Sequence, residues 1–134
     1  MGAARVSLRQ KADEFIKLHG GKPFGEIQGR DGPIAYKVRR GERTFHIYYS
    51  RRWYYRPDGI SIPEHALEVG LAEDATIVIY VINECVWQYA NEWFRLSTDL
   101  KNHTHGGTTE KLILKEDLLV GSFNQGRKGM DEFF

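Results

Sequence analysis

The chain has 134 residues, 41% of them hydrophobic, and a formal charge of +1. That is one domain's worth of chain with an ordinary globular core. No run approaches the roughly 20 apolar residues of a membrane span, no apolar stretch follows the N-terminus as in a secretory signal, and the single cysteine excludes an internal disulfide and a cysteine-based zinc site. A cytoplasmic protein is expected.

Ser7 is placed to cap a first helix ending near His19, with Leu8, Ala12, Phe15 and Ile16 on one stripe. Gly20, Gly21 and Pro23 stop it. A short strand is expected over 24–28, followed by the turn Arg30-Asp31-Gly32. Ile34, Tyr36 and Val38 then alternate with Ala35, Lys37 and Arg39, giving one apolar and one basic face. Arg40-Gly41-Glu42 turns the chain into a strong β run over 44–49, so an antiparallel meander is expected.

The segment 51–59 ends in the turn Pro57-Asp58-Gly59. Pro63 suits the first turn of a helix over 63–69. Residues 76–82 are a nearly continuous β-branched run, as in a buried central strand. A strand over 85–89, a helix over 91–100, a polar loop over 101–108, a last strand over 110–115 and a helical turn over 116–120 complete the reading. The result is a single α+β domain over 1–120, with a mixed or antiparallel sheet and helices mainly on one face. Residues 121–134 form a separate tail.

Charge is unevenly spread. Residues 37–56 carry a net of +6, whereas 57–120 carry −7. A basic surface on an acidic body points to nucleic acid, although the halves could also neutralise one another. Within the basic stretch, His46-Ile47-Tyr48-Tyr49-Ser50-Arg51-Arg52-Trp53-Tyr54-Tyr55-Arg56 interleaves aromatics with arginines. Arginine neutralises phosphate and stacks on bases. Aromatic rings offer stacking faces worth roughly 1–3 kcal/mol per unpaired base. Arg51, Arg52, Trp53, Tyr55 and Arg56 are therefore expected at a DNA-binding surface, while Phe45, Ile47 and Tyr49 face a core. Lys37, Arg39, Arg40 and Arg43 on the same hairpin either track phosphates or form a solvated strand edge.

Other chemistry is thinly marked. Cys85 lies beside Val86 and Trp87 and reads as a buried, inert thiol. His103 and His105 lack a third ligand and read as a solvated loop. No catalytic residue, metal or cofactor is expected.

Two resemblances can be set on quoted residues. The tail Arg127-Lys128-Gly129-Met130-Asp131-Glu132-Phe133-Phe134 resembles the PIP box, the peptide that docks on the sliding clamp of archaea and eukaryotes. Met130, Phe133 and Phe134 match its aliphatic and paired aromatic anchors, and Arg127 stands where the family has glutamine. One helical or 3₁₀ turn would put Met130 and Phe133 on a single face. The alternative is a tail that caps its own domain. The resemblance implies a clamp-associated protein of replication or repair, from an archaeon or an archaeal virus. Separately, an initial helix, a hairpin and Pro57-Asp58 near a strand end invite comparison with the PD-(D/E)xK nucleases. Their second carboxylate and following lysine are missing at the required spacing, so that resemblance implies a degenerate relative. The leading expectation is a non-enzymatic DNA-binding protein, on single strands among other substrates. The alternatives are a degenerate nuclease and a protein module that regulates the clamp.

Overall fold

The computed structural model describes residues 7–54, 57–82, 86–90, 101–105, 108–117 and 123–124. Helix α1 (Leu8–Leu18) starts where its cap predicts: Ser7 Oγ accepts from the Gln10 amide at 3.0 Å. Gly20, at φ +76°, turns the chain out of the helix. Strands β1 (Lys22–Gly29), β2 (Gly32–Arg40) and β3 (Arg43–Ser50) then form the expected antiparallel meander. Both turns place a glycine at positive φ, Gly32 at 127° and Gly41 at 63°.

Strand β4 (Gly59–Pro63) and helix α2 (Glu64–Glu73) lead into β5 (Thr76–Val81), which returns parallel to β3. The chain continues through β6 (Val86–Ala90), β7 (Lys101–His105), β8 (Thr108–Leu114), a 3₁₀ turn (Lys115–Asp117) and β9 (Phe123–Asn124). Six strands make a mixed sheet in the order β1-β2-β3-β5-β6-β9, and three make a small sheet in the order β4-β8-β7. The α+β class and the mixed sheet are as read from the sequence.

Strand parity explains the layers. In β3, Phe45 and Ile47 point to one face, where they meet Val38, Val78 and the α1 residues Phe15 and Ile16. Tyr48 points to the other, with Ala35, Ile77 and Ile79, against Leu67 of α2 and Ile60, Ile62 and Ile113 of the small sheet. The two described helices thus cover opposite faces, not mainly one face as expected. The reason is that β3 and β5 are apolar on both sides, and each side needs its own cover.

Several boundaries also differ. Pro63 is the N-cap of α2 rather than its first turn, and α2 runs past residue 69 to Asp74, which closes it at φ 53°. Strand β4 begins at the last residue of the expected turn and covers residues 60–62, to which the sequence assigned no element. It is only five residues long and exists by pairing with β8. The approach is close: a Cβ on Gly59 would lie 2.9 Å from the Ile113 carbonyl oxygen. The polar stretch 101–105, expected as a loop, is edge strand β7, paired antiparallel with β8. The expected helix over 91–100, Cys85 and residues 121–122 and 125–134 of the expected tail lie outside the described residues, whereas Phe123–Asn124, also expected in the tail, form β9 and pair with β6 of the large sheet. Among the described residues, no helix is long and apolar enough to cross a membrane.

Candidate nucleic-acid interface

Strand β3 separates the basic segment into two groups. Its eight residues span about 26 Å at the usual rise per residue. Lys37, Arg39, Arg40 and Arg43 gather near the β2–β3 turn, while Arg51 and Arg52 follow the opposite end of β3.

At the turn end, most cations are tied to the fold. Lys37 Nζ lies 2.6 Å from Glu73 of α2. Arg43 reaches Thr76 Oγ1 at 3.3 Å and sits over the Phe45 ring. Arg39 is exposed and lies 5.2 Å from the ring centroid of Phe24, with Lys37 at 5.6 Å from the same ring. Phe24 is 48% exposed. Sequence reading passed over it, because a lone aromatic in a short strand gives no sign of which residues stand across from it.

The same end holds a buried polar cluster. His46 is fully buried, and its Nε2 lies 2.8 Å from Glu73 Oε1. Burial pulls the His46 pKa below its ordinary value, against the raising effect of Glu73. The imidazole is therefore neutral at pH 7 and donates from Nε2. Partial burial pushes the Glu73 carboxyl up, but hydrogen bonds from Lys37 and His46 outweigh it and leave the pKa lowered. The cluster pins α2 to the sheet and pairs the charge of Lys37 with Glu73.

At the far end, Arg52 lies 5.3 Å from the ring centroid of Tyr54, which is 57% exposed. Ser50 Oγ donates to the Arg52 carbonyl at 2.7 Å and fixes the turn out of β3. The Tyr54 amide donates to the Gly59 carbonyl at 3.0 Å, which anchors the loop to β4. Beside this pair opens a groove of about 350 Å³, lined among others by Tyr48, Tyr49, Tyr54, Ile60 and Glu110. Arg30, exposed on the β1–β2 turn, stands at the same groove.

Trp53 departs from expectation. It is 7% exposed and packs in the core with Ile60, Ile62 and Ile113. Lys115 Nζ lies 5.7 Å from its ring centroid. Its neighbours in sequence, Arg52 and Tyr54, are outside while it turns in, so it offers no face to a base. Phe45, Ile47 and Tyr49 are buried, as expected. Tyr55, Arg56, Met130, Phe133 and Phe134 lie outside the described residues.

Asp58 is exposed in a shallow groove with Lys115 and Glu116, and its carbonyl accepts from the Lys115 amide at 2.8 Å. That lysine comes from a distant strand end, which a local spacing rule misses. Among the described residues, no three His, Cys, Asp or Glu side chains gather to hold a metal ion. Comparison with protein-family models, curated proteins and solved structures gives no match.

Proposed function

We propose that the chain is a non-enzymatic, cytoplasmic DNA-binding protein, tethered to a sliding clamp by its C-terminal tail and acting in replication or repair. One observation carries the reading: Phe24 and Tyr54, the large exposed aromatics among the described residues, each have a cation over the ring. An exposed ring flanked by cations stacks an unpaired base and neutralises its phosphate together. Arg39 and Arg40 contact phosphates at one end of the hairpin, and Arg51 and Arg52 at the other, while Arg43 is held by Thr76 and Phe45. Trp53 has no part in the contact.

Single-stranded DNA is the preferred substrate, since a duplex hides the faces that Phe24 and Tyr54 would stack. The tail supplies tethering, which raises local concentration without adding contacts to DNA. Fluorescence anisotropy with labelled single-stranded and duplex oligonucleotides, across a salt series, tests the first part. Tighter binding to single strands with a steep salt dependence is expected. Calorimetry against the clamp, with wild type and a Phe133→Ala/Phe134→Ala variant, tests the second. Binding lost in the variant is expected, and no binding by wild type removes the tether.

A further inference from the structure

The groove beside Tyr54 holds more polar chemistry than phosphate binding needs. Tyr48, 3% exposed, lines it, and the Tyr48 hydroxyl is buried with no hydrogen-bond partner. Burial raises the phenol's pKa, so the group stays protonated and remains a donor. Glu110, 8% exposed, lines the same groove and makes no ion pair with another described residue. A buried donor left without a partner is costly, and a ligand that accepts from it recovers that cost, while Glu110 offers the same ligand an acceptor.

The remaining walls suit a flat ring. Tyr54 is exposed at the mouth, Ile60 is apolar, and Tyr49 is held by its hydroxyl donating to the Pro33 carbonyl at 3.4 Å. The volume, about 350 Å³, lies at the small end of ligand pockets, which run to roughly 300–1,000 Å³. It has room for one base and not for a base pair. Arg30 stands at the rim, and Arg52 lies over Tyr54. Cations are therefore placed where the phosphates flanking an inserted base would lie.

We infer that this groove takes one unpaired nucleobase bearing both an exocyclic amino group and a carbonyl, with Glu110 accepting from the amino group and Tyr48 donating to the carbonyl. Cytosine and guanine fit, because each presents amino N–H donors and a carbonyl acceptor on one edge. Thymine does not, because its single N–H lies between two carbonyls that the carboxylate repels. The base belongs to a DNA strand, a point that rests on the DNA-binding reading above. A free nucleotide offers the same chemistry and is separated from the strand by the test.

The test compares all-thymine oligonucleotides with the same strands carrying one central cytosine or guanine, by anisotropy on the full chain. Wild type is expected to bind the substituted strands roughly tenfold tighter, the discrimination of one good polar pair. Glu110→Gln and Tyr48→Phe are nearly isosteric, and each should erase the preference while leaving all-thymine affinity unchanged. The wild-type preference stands as a result even if a variant misfolds. In parallel, dCMP, dGMP and dTMP are titrated against wild type by tyrosine fluorescence. Binding of dCMP or dGMP without binding of any strand keeps base recognition and overturns the DNA reading. Strands bound without base preference, with no nucleotide bound, overturn the groove and leave the DNA reading standing. No binding of strand or nucleotide overturns both.

Discussion

The two ends of the β2–β3 hairpin carry similar charge and put it to different use. At the turn end, Lys37 is held by Glu73, and Arg43 reaches Thr76. Those cations are built into the joint between the sheet, α2 and β5. At the far end, Arg52 lies over an exposed Tyr54 beside a groove with a buried hydroxyl and carboxylate. A dense run of basic residues is therefore not one binding patch. Cations that meet an acidic or polar partner across the fold become structure, and those beside exposed rings and a cavity are the ones the proposed function assigns to a ligand.

The largest expected effect tests whether Trp53 belongs to the far end's surface or to its core. Trp53→Ala should lower stability by about 3–5 kcal/mol, the cost of truncating a buried large aromatic. Urea unfolding measures this. A fully stable variant with selectively weaker single-strand binding would return Trp53 to the interface.

Next comes the turn end. Glu73→Gln should destabilise by about 2 kcal/mol, because it removes the Lys37 pair and weakens the bond that satisfies His46. It should also change the pH profile. His46 and Glu73 both have lowered pKa values in the folded chain. A group depressed on folding contributes stability that is complete above its unfolded value and is lost as pH falls through the folded one. Wild-type stability should thus fall first below about pH 6.5, as His46 resists protonation. It should fall again below about 4.5, as Glu73 does. Chemical denaturation from pH 8 to 3 should show the lower step flattened in Glu73→Gln. An unaltered profile would mean the cluster is not what holds α2.

Removing the far-end cations should act on binding and spare the fold. Arg51→Ala/Arg52→Ala is expected to weaken DNA binding roughly tenfold at low salt and to flatten the log–log salt slope by about two, one per phosphate contact. Thermal unfolding should be nearly unchanged. If Arg39→Ala/Arg43→Ala reduces binding more than this pair does, the comparison is reversed and the turn end is the main site.

The smallest effect belongs to Phe24. Phe24→Ala should cost single-strand binding about 1 kcal/mol, one stacked base, and leave duplex binding alone. Equal losses on both substrates would indicate that Phe24 merely positions Lys37 and Arg39.

Local chemistry determined much of this chain. The Ser7 cap, the glycine exit from α1, the turns at Gly32 and Gly41 and the β-branched run of β5 depend on neighbours a few residues away, and each could be read from the sequence. The basic aromatic segment was equally visible as composition. Only the tertiary structure decided what that composition does. Strands β4 and β7 are held by pairing with β8, so no periodicity of their own announces them. The covering of both faces by α1 and α2 follows from β3 and β5 lying side by side in the middle of the sheet. Trp53 turns inward between two outward neighbours because Ile60, Ile62 and Ile113, supplied by β4 and β8 later in the chain, form the core on that side. Tyr48 and Glu110 line one groove although they are far apart in sequence, since the groove lies where the small sheet meets the large one. A contact between two sheets is a product of the whole chain's packing, and no short window of residues contains it.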